Sequence, residues 1–473
     1  MNRTKIICTV GPSVDSDKKI AELVRSGMSV ARINCSHGDL QSRLRHLKRI
    51  RKIEKRLKQS IGIMLDLQGP KLRVGDLPNP YILNAKETWQ LAYDKGPDEK
   101  QNIIPIPFQG LPKAVVVGQK IYMDDGLIQT EVIRKEGQSV WVRVVYGGVL
   151  ESRKGINIPH YRGKLPILRK KDRIDLAWGL RHKVDFIALS FVRKPQDIRD
   201  LKKVIAQSKT RSLPLVIAKI EKPEAVEQME GIIEESDGIL IARGDLGIEL
   251  PSERVPVVQK QLIESCRVRK KPVIVATQML DSMRSSPVPT RAEASDVASA
   301  IYAGVDAALL TGETSSGKYP VEACAMMQKI ILEVEQHMIQ KTFRKTPADF
   351  GVTTLEEAFM FNAMQTADDI GARAIVLSTR QGTLTKVISK MHPKQPIFSL
   401  AATPTAYRQL NLYWGVFPIN MTHGKADRRI VAGLSILKKK GTVQKGDRLI
   451  FLYREHLRGH RNITLNLKIV TVE

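Results

Sequence analysis

The chain has 473 residues, 42% of them hydrophobic and 5% aromatic, with 76 lysines and arginines against 49 aspartates and glutamates, a formal net charge of +27. That length argues for about three domains rather than one small core, no apolar run approaches the ~18 residues of a membrane span, and four cysteines without metal-type spacing read as reduced core thiols of a cytoplasmic protein. The positive charge raises nucleic-acid binding, but the basic residues are spread along the chain and rings for base stacking are scarce; a field that attracts anionic substrates fits as well, and nucleic acid is disfavoured as a partner.

The start, Met1–Val10, lacks the length and cleavage site of a signal peptide and reads as a strand, Lys5–Val10, before a helix near Ser16–Ser26. Strand Val30–Asn34 precedes Arg43–Lys58, whose Leu44, Leu47, Ile50, Ile53 and Leu57 recur at helical spacing beneath a solvated basic face. Strand Gly62–Leu67 runs into Gln68-Gly69-Pro70. Over residues 72–160 the pattern changes to short alternating segments such as Lys120–Met123 and Val140–Val145, with turn signals at Asp125-Gly126, Glu136-Gly137 and Gly147-Gly148. This predicts an inserted small β domain. Strand–helix alternation resumes near Leu168. Strands Phe186–Ser190, Leu215–Ile220, Gly238–Ala242, Val273–Thr277 and Ala307–Leu310 are separated by helical stretches at Lys171–Arg181, Pro195–Ser208, Pro223–Glu235 and Val257–Lys270. Eight such units predict an α/β fold, a (β/α)8 TIM barrel interrupted after strand three. An open doubly wound sheet competes, but no G-x-G-x-x-G opens a helix after a strand. A polar junction at Gln340–Gly351 leads to a C-terminal α/β domain with strands at Ala374–Leu377, Pro396–Leu400 and Leu449–Leu452 and a closing edge strand, Thr464–Val470. The expected domains are 1–70 and 169–338 for the barrel, 71–168 for the insertion and 339–473 for the C-terminal unit.

Alternate residues of a strand share a side. Lys219 and Glu221 therefore face one space, and Asp245 reaches it if the fifth and sixth strands are neighbours. Two carboxylates and an ammonium at strand ends suit a divalent cation and a phosphoryl group. The other strand ends are polar too: Thr9 to Pro12; Arg32, Asn34, Ser36 and His37; Asp66, Lys71 and Arg73; Ser190-Phe191; Arg243; Thr277-Gln278; Thr311 to Thr314. Any one of these alone reads as a cap or surface pair, and His37 alone as a loop histidine. Together they lie where a barrel of this kind carries its reacting groups. Gly312–Lys318 (GETSSGK) mimics a phosphate loop, but Tyr319 stands where a magnesium-binding hydroxyl is needed and Pro320 follows, which excludes that reading.

The sequence resembles the pyruvate kinase family over nearly its whole length. The segments that carry the likeness are Thr4–Pro12 (TKIICTVGP), Gly27–Gly38 (GMSVARINCSHG), Ala218–Glu221 (AKIE), Ala242–Gly247 (ARGDLG), Ala276–Leu280 (ATQML), Pro289–Glu293 (PTRAE) and Gly312–Thr314 (GET). The resemblance implies a TIM barrel with a small β-barrel lid domain after strand three, a C-terminal α/β domain with a mostly parallel sheet, and a homotetramer. It implies phosphoryl transfer from phosphoenolpyruvate to ADP, giving pyruvate and ATP. In that reading Glu221 and Asp245 hold Mg2+, with Mn2+ as a substitute. Lys219 neutralises charge on the moving phosphoryl group and the developing enolate, and Arg32 grips phosphate. The N–H groups at Gly244 and Asp245 receive the substrate carboxylate. Thr277 helps deliver the proton, and Arg73, Ser190, Phe191 and Glu313 surround the site. Pro12, Asn34, His37 and Lys154 lie toward the nucleotide.

Many family members carry Asp-Thr-Lys-Gly-Pro-Glu at strand three and require potassium. Here the run is Asp66-Leu67-Gln68-Gly69-Pro70-Lys71. Asn34, Ser36, Asp66 and the Leu67 carbonyl remain as cation ligands, yet Lys71 is expected to supply the charge that potassium otherwise gives, as in the potassium-independent members. Ser378–Thr385 (STRQGTLT) follows a strand and opens a helix, so Ser378, Thr379, Thr383 and Thr385 are candidates to cradle a phosphorylated effector, a sugar phosphate or AMP. The resemblance puts the family's activator loop here, but Arg380 and Gln381 replace its Ser and Gly, leaving the effector's identity open. Two other classes compete: a polyanion-binding protein reusing the fold, and a metal aldolase, which would need neither the lid nor the C-terminal domain.

Overall fold

Short aliphatic runs buried on both faces are what parallel strands covered by helices require. This computed structural model describes residues 1–161, 163, 166–208, 210, 212–340, 346–421, 426–456 and 463–473. The runs form β1 (Lys5–Thr9), β2 (Met28–Asn34), β3 (Gly62–Leu67), β4 (Phe186–Leu189), β5 (Leu215–Ile220), β6 (Gly238–Ala242), β7 (Val273–Ala276) and β8 (Ala307–Leu310). They close a barrel in chain order, every pair parallel, with β8 returning to β1 through Lys5 opposite Ala307. The expected interrupted barrel is borne out. Lys219 lies opposite Leu240 and Asn34 opposite Asp66, so the polar strand ends emerge at one rim.

Local signals set the helix ends. Ser16 accepts from the Lys19 N–H at 3.1 Å before the helix Asp17–Arg25. Thr290 and Glu293 close a reciprocal capping box on Arg291–Tyr302. The helix expected over Pro223–Glu235 is two, Pro223–Glu227 and Met229–Glu235, because Gln228 leaves helical geometry at φ −110°, ψ 20°.

Between β3 and β4 the chain leaves the barrel. The insertion builds a seven-stranded sheet, and Tyr81–Leu83 pairs separately with Gly148–Leu150. Period-two alternation drives this: Val140, Val142 and Val144 are buried, while Arg143 between them is exposed and Trp141 and Val145 are only partly covered. The buried set joins Trp89, Leu91 and Ile121 in a core of its own. Leu72–Arg73 pairs with Gly155–Asn157, so the outgoing and returning chains run side by side at the stem.

The C-terminal unit holds β9 (Ala374–Thr379), β10 (Ile397–Ala401), β11 (Val416–Asn420), β12 (Arg448–His456) and β13 (Ile463–Thr471) in the order β11-β10-β9-β12-β13. All pairs are parallel except the last, where β13 is the expected edge strand. Sequence reading missed β11 because Pro418 interrupts it; the strand lies at the opposite edge, where a missing N–H is tolerated. Of the predicted junction Gln340–Gly351, residues 341–345 lie outside the described residues.

The floor of the barrel and the C-terminal unit share one apolar cluster. Ile7, Met64, Phe186, Ile217 and Leu309 join Met360, Leu410, Tyr413 and Val416 in it. The approach is close: a Cβ at Gly62 would sit 2.8 Å from the Phe186 ring and 3.3 Å from the Arg408 carbonyl oxygen. Beside it, Lys390 Nζ meets Asp306 Oδ2 at 2.5 Å, with side chains 2% and 0% exposed. Asp306 also accepts from the Val273 N–H at 2.8 Å and the Trp414 N–H at 3.4 Å. The four cysteines are buried and free. Among the described residues no helix is long and apolar enough to cross a membrane.

Candidate active site

Strand alternation at the end of β5 turns Lys219 and Glu221 to the same side. Lys219 Nζ lies 2.9 Å from Glu221 Oε1 and 3.4 Å from Asp66 Oδ1, and donates to Ser190 Oγ at 2.7 Å. Arg32 crosses from β2 to place Nε and Nη2 at 2.8 and 2.7 Å from Asp66 Oδ2, while Nη1 donates to Thr9 Oγ1 at 3.0 Å. These groups are nearly dry, which fixes their charges. Burial pulls the Lys219 pKa down, but Asp66 and Glu221 together raise it above the ordinary lysine value. Burial pushes Asp66 up, but Lys219 and Arg32 carry it below the usual carboxylate range.

Glu221 is the strained member. Its Oε2 accepts from the Phe191 N–H at 2.8 Å, but Oε1 is buried without a well-directed hydrogen bond, the 2.9 Å approach of Lys219 being poorly aligned. Burial raises its pKa; Lys219 opposes this and the negative charge of Asp245 adds to it. A cation between Glu221 and Asp245 would relieve both the repulsion and the unfilled lone pair. Among the described residues no three His, Cys, Asp or Glu side chains gather as a metal cage. Two carboxylates with open positions suit Mg2+, which keeps several sites for water and substrate oxygens, so the donor set fits it.

Asp245 lies in the first turn of the helix Arg243–Glu249 that follows β6. The neighbouring Gly244 N–H donates to Thr277 Oγ1 at 2.7 Å, so the donor expected for a substrate carboxylate is engaged by a hydroxyl. Thr277 and Gln278 both have positive φ, 69° and 52°, a conformation that costs non-glycine residues energy. Arg243 braces them. Its Nη2 donates to the Thr277 and Gln278 carbonyls at 3.0 and 3.2 Å, and Nη1 pairs with Asp296 at 2.6 Å.

Arg32, Asn34, Ser36, His37, Asp66, Lys71, Arg73, Lys154, Ser190, Phe191, Lys219, Glu221 and Asp245 line one cavity of about 310 Å³ between rim and lid. Asn34 Oδ1 accepts from the Ser36 N–H at 3.0 Å, and Arg73 donates to the Arg153 carbonyl at 2.9 Å. His37 is held toward its neutral form by partial burial and by Arg73 and Arg32. The Lys71 ammonium stands 3.3 Å from both Asp245 Oδ1 and Asp125 Oδ1. Burial opposes its charge, but Asp245 and Asp125 raise its pKa overall.

Other candidates lie apart from the cavity wall. Pro12 is exposed on the short turn Pro12–Val14, and the Leu67 side chain is buried in β3. Glu313 is fully buried and accepts from the Thr311 N–H at 2.7 Å and the Leu280 N–H at 3.2 Å, bracing the ends of β7 and β8. The sequence reading missed Gln68, Asp124, Asp125 and Gly155, which also line the cavity. Asp125-Gly126 reads as a turn, and the turn is there: Asp124 and Asp125 have φ of 51° and 52°. That turn points Asp124 at Lys154, 3.0 Å away. No local signal marked the pair, because aspartate at a hairpin turn is ordinary turn chemistry.

The effector candidates do not converge. The Thr379 hydroxyl accepts from the Gly382 N–H at 2.7 Å, Arg429 donates to Ser378 Oγ at 3.0 Å, and Thr383 is exposed at the start of the helix Thr383–Ser389. Thr385 is fully buried, its hydroxyl 2.9 Å from that of Ser399.

Comparison with known proteins gives a consistent picture. The model of the pyruvate kinase barrel domain matches residues 1–324, and that of the pyruvate kinase alpha/beta domain matches residues 357–467. A pyruvate kinase of Geobacillus stearothermophilus is 39% identical over 455 residues, 95% of this chain and 77% of the relative. One from Clostridium acetobutylicum is 36% identical over 453 residues, 95% of each chain. The crystal structure of a pyruvate kinase from Cryptosporidium parvum superposes with a TM-score of 0.90 at 34% identity, covering 99% of this chain and 96% of that one.

Proposed function

Since the chain belongs to the pyruvate kinase family, and is on that ground a phosphotransferase, we propose that its rim cavity moves the phosphoryl group of phosphoenolpyruvate to ADP by the residues described above and without potassium. The observation that carries this reading is the buried set Lys219, Glu221, Asp66 and Arg32, with Asp245 facing it. Glu221 and Asp245 would hold Mg2+ or Mn2+, which would supply charge stabilisation to the phosphoryl and enolate oxygens. Lys219, kept protonated by its carboxylates, meets the charge that develops on those same oxygens. Arg32 is oriented by Asp66 and turns its remaining donors to the phosphate. A substrate carboxylate that takes over the Gly244 N–H displaces the Thr277 hydroxyl, which is then free to assist proton delivery to the methylene carbon. Pro12, Asn34, His37 and Lys154 attend the nucleotide, and Arg73 and Ser190 flank the substrate.

Potassium independence rests on Lys71. Its ammonium stands inside the cavity, charged, beside the magnesium carboxylate Asp245. A coupled lactate dehydrogenase assay in sodium-only or tetramethylammonium buffer should keep kcat within about twofold of its value in potassium. Lys71→Glu should acquire a potassium requirement. Strong potassium stimulation of the unaltered protein would reject the idea.

The same reading includes a homotetramer, a cytoplasmic location, divisions near residues 70, 168 and 338, and a phosphorylated effector at Ser378, Thr379, Thr383 and Thr385. That last part rests on the family resemblance of the Ser378–Thr385 segment alone, since the Gly382 N–H is engaged by the Thr379 hydroxyl and Thr385 is buried. Titrating sugar phosphates and AMP at low phosphoenolpyruvate should lower the KM for phosphoenolpyruvate; a flat response to both removes the effector.

A further inference from the structure

β5 is followed by two adjacent residues that make contacts on different sides. Glu221 faces the cavity. Lys222 faces away from it and pairs with Glu249, whose side chain is 0% exposed. Glu249 closes the helix Arg243–Glu249 that carries Gly244 and Asp245 in its first turn. Its Oε1 also accepts from Asn157 Nδ2 at 3.0 Å. Asn157, 2% exposed, ends the returning stem strand Gly155–Asn157 of the lid. One buried carboxylate thus touches the residue after one magnesium ligand, shares a two-turn helix with the other, and grips the lid stem. The contact is not simple filler: Glu249 Oε2 and Asn157 Oδ1 are buried with no hydrogen bond, a costly arrangement for a purely structural pair.

We propose that Glu249, with Lys222 and Asn157, is a positioning unit that fixes the lid stem to the metal-carboxylate segments and so sets how the lid meets the nucleotide. This rests on the phosphotransfer reading, in which Lys154 of the lid attends ADP. The lid residues Asp124, Asp125 and Lys154 all line the cavity from segments that adjoin the paired strands Lys120–Met123 and Gly155–Asn157, the second of which Asn157 ends. A stem free to shift would move them together while leaving Lys219, Arg32 and Glu221 on the rigid rim.

The test is a double-mutant cycle on the full chain with Lys222→Met, Glu249→Gln and both together. Steady-state kinetics vary ADP and phosphoenolpyruvate separately, and hydrogen exchange follows the amides of Gly155–Asn157. Lys222→Met should raise the KM for ADP about tenfold while kcat falls less than about threefold, with faster exchange at the stem. The double variant, neutral and still able to accept from Asn157, should recover most of both. If the KM for ADP and stem exchange stay unchanged in the single variants, or if both substrates weaken together without rescue, the unit is only structural. Absence of phosphoenolpyruvate-dependent turnover in the unaltered protein would sink the parent reading instead, and stem exchange would still judge the link.

Discussion

Lys219→Met is expected to lower kcat by about three orders of magnitude with little change in the KM for ADP. Methionine keeps an unbranched apolar stem but removes the ammonium that lies 2.9 Å from Glu221 and 3.4 Å from Asp66. Two effects then act together. The transferring phosphoryl group and the enolate lose a preorganised counter-charge in a dry site, where it is worth most. The buried carboxylates also lose a partner, and Glu221, already pushed up by burial, moves further toward its protonated form. Lys219→Arg should rescue little, because a longer, planar guanidinium cannot place its charge where the compact ammonium, only 11% exposed, meets Glu221, Asp66 and Ser190. A kcat within about tenfold of the unaltered enzyme would remove Lys219 from the centre of the chemistry.

The second large effect lies at the other end of the barrel. Lys390→Met should destabilise the protein by about 3–5 kcal/mol, because it strands Asp306 in a buried position. Asp306 sits at the start of β8 and accepts two backbone N–H groups, from Val273 and from Trp414. It therefore ties β7, β8 and the C-terminal unit to one carboxylate. Adding Asp306→Asn should return part of the loss, since the amide oxygen can still accept while the buried charge is gone. Thermal midpoints of the single and double variants at one scan rate would measure this. Equal midpoints for Lys390→Met and the unaltered protein would mean that the pair contributes nothing. Kinetic constants of the surviving folded enzyme should be unaffected, which separates this prediction from the first.

The barrel was legible because its strands are continuous aliphatic runs ending in polar residues, and because strand alternation alone puts Lys219 and Glu221 on one side. The inserted domain was legible from a switch to period-two alternation and a rise in turn residues. What sequence reading could not see was long-range placement. Nothing local says that Asp125 of the insertion meets Lys71, or that Glu249 finds Asn157, since those pairs are 54 and 92 residues apart. Nor does the pattern foretell that the Gly244 N–H is already taken by Thr277, which depends on two positive-φ residues after β7. β11 was hidden for a different reason: Pro418 lowers any strand expectation unless the strand is known to be an edge.

The shared apolar cluster beneath the barrel has a consequence for any shortened form of the chain. Translation stopped after the helix Pro320–Gln340 would yield every residue assigned here to catalysis, yet it would leave Met64, Phe186 and Leu309 facing solvent with nothing from Met360, Leu410 or Tyr413 beneath them. Such a truncated product would carry a sticky hole rather than a finished enzyme. The barrel and the C-terminal segment are bound by that common oil layer into one folding unit.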